Sequence, residues 1–330
     1  KLNVNYPLKS NISLQGKSKH ELNVILDKTL QILSYDYFLN LENSNLNLNF
    51  KNKLILPFFR ESIRNITFND TKIELKLNSK NKNQFLAQGK YNINEKKIFN
   101  SFNISNNFTN KNSKIGAEVE ISEPINIEFL NYFKPRNDIS KLNISLFLKK
   151  KLIQITNLKY TDKKNIIDLS DFHFINGNVN RLGKIVVKTQ DPKSNEINNE
   201  FTFSKRKKIL IEGKHFDARS LFKAINKNKK RSDNTFKNIS NKVEINLEKI
   251  KTQNAGELSK FKLIGELKNG KFEKIISKGE FKKGGFLDIS LKKGQNSENK
   301  FLEVYSDFSE PLLNEYSFFQ GLQGGTLFFK

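Results

Sequence analysis

The amino-acid sequence predicts a mainly β protein: an extended antiparallel sheet, apolar on one face, with a few short helices. Three observations predict it. Apolar residues alternate with Lys, Asn and Glu along most of the 330 residues, which is strand spacing. The alternating stretches follow one another at intervals of about 8 to 14 residues, as in a meander. Few stretches carry helical period, so little is on hand to cover the apolar face. Three coverings remain open: closure into a barrel, folding over as a sandwich, or curling into a gutter whose apolar side faces itself. A transmembrane barrel fits less well, because many strands lack aromatic ends and the turns are crowded with Lys.

Leu2, Val4 and Tyr6, then Ile12 and Leu14, open the chain as strand. Residues 18–40 carry two patterns. Ser18 with Glu21 fits a capping box ahead of a helical face, whereas Asp27-Lys28 fits a turn between two strands; the flanking strands favour the second. Leu46, Leu48 and Phe50 resume the alternation before the apolar run Leu54 to Phe59, which Pro57 interrupts. Ile73, Leu75 and Leu77; Phe85 to Ile93; Phe102 with Ile104; and Ile115 to Ile121 follow as strands, and Pro124 closes that series. Residues 125–133 (INIEFLNYF) read as a short helix before Pro135.

Leu142, Ile144, Leu146 and Leu148 start a second series, joined through three lysines to Ile153 and Ile155. Leu158 with Tyr160, Ile167 with Leu169, Phe172 with Phe174, Ile185 with Val187, Phe201 with Phe203, and Ile209 with Ile211 read as separate short strands. Residues 189–199 read as a polar loop. The spacing predicts a helix over Phe216 to Asn226, capped by Asp217, with Leu221, Phe222 and Ile225 on one face. Strands return at Val243, Ile245 and Leu247 and run through Phe261, Leu263, Ile275, Phe281, Leu287, Ile289 and Leu291. Residues 301–330 read as strand, short helix from Ser309, Gly turn and strand. A last strand at the chain end, Lys at position 1 and the lack of Met lead us to expect a longer natural chain. We expect one continuous segment, 1–330, with soft divisions at 135 and 240.

The net charge of +24 admits three readings: nucleic-acid binding, attraction to anionic lipid head groups, and simple compositional bias toward Lys and Asn as solvated residues. The third explains the even spread best. The densest basic stretch, Lys205 to Arg231, holds eleven Lys or Arg against Glu212 and Asp217. Phe sits at core-like alternating positions rather than among basic residues, which disfavours nucleic acid as a partner. With no Cys, disulfides, thiol catalysis and Cys-ligated metal are excluded. His20, His173 and His215 lie far apart, and no phosphate-binding glycine motif occurs. No enzyme activity, metal or cofactor is expected. No apolar run approaches the ~20 residues of a membrane helix.

Two segments carry a family resemblance. The stretch 301–330, with a paired-Leu helix start and a Gly-Gly turn into a strand, and the stretch Gly213 to Ile225 (GKHFDARSLFKAI) resemble parts of the AsmA-like proteins of the YhdP type. The resemblance implies a curled, elongated β-groove. It further implies a periplasmic protein of Gram-negative bacteria, anchored in the inner membrane outside this segment and involved in moving phospholipid toward the outer membrane. Its partners would be phospholipid acyl chains. On that reading Ile73, Leu75, Leu77, Ile144, Leu146, Leu148, Ile153, Ile155, Val243, Ile245, Leu247 and Ile289 line the groove, while ordinary core burial explains each of them equally when taken singly. A structural or adhesive β-scaffold with a dry interior is the alternative.

Overall fold

The computed structural model describes residues 10–205, 207–220, 239–253, 256–281, 284–294, 299–316 and 325–330. The chain is mainly β: nineteen strands belong to a mostly antiparallel sheet that is not closed into a barrel, and two more form a small hairpin. Two compact units emerge, one of Lys1–Asn126, Lys134–Lys163 and His173–Asn176, the other of Ile127–Phe133, Lys164–Phe172 and Gly177–Lys330.

In the first unit, β1 (Ser10–Leu26), β2 (Ile32–Leu54), β3 (Ile63–Asn78), β4 (Asn83–Ile93), β5 (Asn100–Phe108) and β6 (Asn112–Ile121) pair in sequence order. Between β6 and its next partner the chain forms β7 (Ile125–Ile127) and β8 (Tyr132–Lys134). Then β9 (Ser140–Lys149) pairs with β6, and β10 (Leu152–Asp162) with β9. Residues 18–40 are strands, as the turn reading required. The Asp27 carboxylate accepts the Thr29 and Gln31 backbone N–H groups at 2.8 and 2.9 Å, which folds the turn locally.

The second unit holds most of β11 (Asn165–Ile175), then β12 (Asn178–Arg181), β13 (Lys184–Gln190), β14 (Ile197–Lys205) and β15 (Ile209–Asp217). It continues with β16 (Asn241–Lys251), β17 (Glu257–Lys268), β18 (Lys271–Phe281), β19 (Phe286–Lys293), β20 (Lys300–Ser306) and β21 (Leu327–Phe329). Pairing runs β11, β13, β14, β15 and then β16 to β21 in order. The pair β15–β16 is parallel, an exception to the expected antiparallel pattern. The intervening residues 218–240 supply the longer connection that a parallel pair needs.

Several local expectations are corrected. Residues 125–133 are not a helix: β7 and β8 flank a single 3-10 turn, Glu128–Leu130. Asn131 in the left-handed region, φ +48°, reverses the chain there; a short polar side chain tolerates that conformation. Leu158 and Tyr160 continue β10 past a register shift after Ile155. Phe172 and Phe174 continue β11 past Asp171, whose φ is +60°. Residues 189–199 are only partly loop, because β13 and β14 extend into them. Phe216 and Asp217 end a strand; the rest of the predicted 216–226 helix lies outside the described residues apart from the turn at 218–220. The helix expected from Ser309 is present as α1 (Ser309–Tyr316), and Pro311 sits in its first turn, where its missing N–H costs little.

Candidate functional site: an apolar sheet face

Residues directly opposite one another on paired strands share a face, and so do residues two apart on one strand. The register therefore converts the sequence alternation into rows that run across the strands.

In the first unit one row reads Leu41, Ile73, Ala87, Ile104, Ala117, Ile144, Leu158. The adjoining row reads Leu39, Leu75, Phe85, Asn106, Ile115, Leu146, Ile155. A third pairs Tyr37 with Leu77 on one side and Phe108, Ser113, Leu148, Ile153 on the other. Asn106 and Ser113 interrupt the second and third rows, and they satisfy each other: the Ser113 hydroxyl donates to the Asn106 carbonyl oxygen at 2.6 Å. Eight of the twelve residues nominated from sequence thus lie in three adjoining rows, although they come from strands about 70 positions apart.

Toward one end this face is filled by its own side chains. Ile63, Ala87, Tyr91, Ile93 and Phe102 are buried, with Leu54, Leu56, Phe59, Phe68 and Ile73 packed against them. The Phe68 and Phe102 rings meet edge to face at 5.2 Å. The Tyr91 hydroxyl donates to the Glu120 backbone oxygen at 2.6 Å. Burial, aided by nearby Glu123 and Glu120, pushes the Tyr91 phenol well above its ordinary range. Toward the other end the face is open: Leu75, Leu77, Leu146, Leu148 and Ile155 are half-buried and Ile153 is 45% exposed. The opposite face of the same strands carries Glu74, Lys76, Glu118, Asn143 and Ser145. A cleft of about 380 Å³ lies mainly on that polar side, among Glu21, Asp36, Lys76, Lys82 and Gln84.

The second unit carries a longer row: Leu169, Ile185, Phe203, Ile211, Ile245, Leu263, Ser277, Ile289, Val304, Phe329. Ser277 is its one polar member, and its hydroxyl donates to the Ile289 carbonyl at 3.3 Å. Leu247 and Val243 stand in the flanking rows, each 4% exposed. Ile245 and Ile289 are half-buried against the cluster of Leu247, Ile250, Leu258, Phe281 and Leu287, on which Leu312 of α1 also packs. Gly213 has no room for a side chain here, since a Cβ would fall 2.3 Å from the Glu200 oxygen at the β14 register shift. The sequence reading missed Phe85, Ile104, Ile115, Leu158, Phe203, Ile211 and Leu263 as members of the rows. They carry the same alternation; only the register assigns them.

Two buried polar clusters hold the edges of these faces. In the second unit Asp217, fully buried, accepts from the Asn131 amide at 2.8 Å and from Arg219 Nε at 2.8 Å. Its backbone N–H donates to Asn199, whose amide in turn donates to the Leu130 oxygen at 2.7 Å. The hydrogen bond to Asp217, with help from Asp191, raises the Arg219 guanidinium further above its ordinary value. Asp217 thus ties the 128–131 turn to β14 and β15, while the helix it was expected to cap lies outside the described residues. In the first unit Lys134 is fully buried, and its ammonium donates to the backbone oxygens of Ile121, Pro135 and Asp138 at 3.1, 3.4 and 2.6 Å. Burial lowers its pKa from the ordinary 10.5, while Asp162, Glu123 and Asp138 pull it back up.

Among the described residues no group of three or more His, Cys, Asp or Glu is placed to hold a metal ion, and no helix is long and apolar enough to cross a membrane. No protein-family model, no curated protein and no solved structure matches this chain.

Proposed function

We propose that this chain is a non-catalytic lipid-sheltering segment, in which the open part of the first unit's apolar face receives phospholipid acyl chains. The observation that carries the reading is one cross-strand row that stays apolar over seven strands, flanked by two rows that are polar only at Asn106 and Ser113 and are half-exposed at Leu75, Leu77, Leu146, Leu148 and Ile153. Seven strands spaced ~4.8 Å apart make a row of roughly 29 Å. The acyl layer of one bilayer leaflet is about 15 Å deep. Exposing an acyl chain of ~16 carbons to water costs on the order of 13 kcal/mol, and an apolar strip of this length removes much of that cost while the head group stays wet. The AsmA-like resemblance of residues 213–225 and 301–330 supports the same reading and adds the periplasm, an inner-membrane anchor elsewhere and phospholipid transport. The packed cluster around Tyr91 and Phe102 favours a second reading, a structural or adhesive β-scaffold with a dry interior.

Native mass spectrometry with lipid extraction tests the proposal. The wild type is expected to carry or take up phospholipid. Leu146→Asp and Leu77→Asp, both on the open part of the face, lose it, while Ser145→Asp, on the polar face of the same strand as Leu146, keeps it. A wild type that stays lipid-free after incubation with phospholipid rejects the groove and leaves the scaffold.

A further inference from the structure

The β1–β2 hairpin extends beyond the rest of its unit. The last β2–β3 pair at this end is Asp36 with Asn78, and Ser79 donates to the Tyr35 oxygen just beyond it. Past that point β1 and β2 continue alone to the pair Leu26 with Ile32. At ~3.3 Å per residue the tip protrudes by roughly 15 Å. Both of its sides carry apolar residues, with Ser34 opposite Ile25 on the second. Leu22, Val24, Leu33 and Tyr35 fall on one face by register and alternation, and Ile25 and Ile32 on the other, all of them exposed. At the apex Leu30 is 78% exposed with φ +61°. A left-handed Leu costs more than Gly or Asn would there, and this one packs on little that would compensate. The turn that imposes it is built, because Asp27 accepts from the Thr29 and Gln31 backbone and from the Thr29 hydroxyl.

The other turns at this end of the unit are basic. In a meander alternate turns emerge at the same end. Here they carry Lys28, Lys80, Lys82, Lys111, Lys149, Lys150 and Lys151, all exposed, and their single acidic residue is Asp27. The turns at the opposite end carry both signs, paired as Lys96 with Glu61 at 2.9 Å and Arg136 with Glu61.

We propose that this end docks on an anionic lipid bilayer, with the hairpin tip inserted at the boundary of head groups and acyl chains and the lysine turns on the head groups. A tip with apolar residues on both faces is covered completely by hydrocarbon, whereas a protein surface laid against the hairpin covers one face. A second copy of this chain would bring another +24 charge to the same place. Interfacial apolar elements sink about 5–10 Å, which the protruding length accommodates. Different residues carry this inference from those of the groove, and it stands if the groove proves dry.

The chain has no Trp, so Leu30→Trp makes a single reporter. With vesicles of equal phosphatidylcholine and phosphatidylglycerol its emission is expected to shift to the blue, and with pure phosphatidylcholine to shift far less. In vesicle flotation, Leu30→Asp with Leu33→Asp weakens partitioning by at least about tenfold. Each of Lys80→Gln, Lys82→Gln and Lys150→Gln weakens it roughly fivefold. Ser145→Asp, on the polar face and away from both the tip and the apolar rows, floats like wild type. All of these sites are exposed or half-buried, and circular dichroism checks the fold. A wild type that does not float with the anionic vesicles, or tip variants that float equally well, overturns the proposal. So does a tip variant that converts a dimer to a monomer without changing flotation, which assigns the tip to a second copy.

Discussion

The two ends of the first unit's apolar face are built from the same strands and the same alternation, yet one is closed and the other open. At the closed end the β2–β3 connection is itself apolar. Leu54, Leu56 and Phe59 fold back onto Tyr91, Ile93 and Phe102, and Phe59 forms a bridge to Ile125. Lys134 fastens the neighbouring 121–138 connection through three backbone oxygens. At the open end the connections are short lysine turns, and the apolar tip of the β1–β2 hairpin, Leu30 included, stays exposed instead of folding onto the face. Whether a β-face becomes core or surface is therefore decided by the connections at its ends. The strands supply only the apolar side.

Substitutions should separate the two ends by the size of their effects. Phe102→Ala, at the centre of the closed end, is expected to cost about 3–5 kcal/mol in urea unfolding. Ile153→Ala, on the same face at the open end, should cost less than about 1 kcal/mol in the same assay. Equal losses would mean that the open end is packed as tightly as the closed one.

Lys134→Met comes next, at about 3 kcal/mol, since three buried backbone oxygens lose a charged donor. Its pH dependence has a definite sign. The folded pKa lies below the ordinary 10.5, so between those two values the unfolded chain binds more protons and stability from this group rises with pH. The stability difference between wild type and Lys134→Met should grow in favour of wild type across that window. A flat difference from neutral pH to pH 10.5 would contradict the burial of the ammonium.

Unplugging the closed end is expected to have a smaller effect on stability and a larger one on surface. Leu56→Ser with Phe59→Ser should cost about 2 kcal/mol and raise the binding of a hydrophobic dye, by uncovering Tyr91 and Phe102. No rise in dye binding would show that the β2–β3 connection is not the cover. The smallest effect belongs to Ser145→Asp, within about 0.5 kcal/mol on the polar face.

Much of this was legible in the residues. Ile73, Leu75 and Leu77, or Ile144, Leu146 and Leu148, announce strands with one apolar side, because a period of two leaves no other reading. Asp27-Lys28 announced the hairpin turn, because an Asx side chain can hold the chain reversal locally. The 125–133 segment misled, because its apolar residues fit helical spacing while Asn131 was needed to reverse the chain. The apolar run at 54–59 was visible as a run, but its service as a cover was not, since nothing local states which strands it lies over.

The sequence by itself determined the β class, the faces of most strands and the absence of thiol chemistry, all properties that depend on neighbours along the chain. Tertiary structure alone decided the register that joins Ile73 to Ile144 in one row, the parallel pairing of β15 with β16, and the burial of Asp217 and Lys134. It also decided that Tyr91 lies under a cover while Ile153 meets water. Each of these depends on which distant segments meet. Alternation is indifferent to that, because a slip of two residues preserves every face and changes every partner.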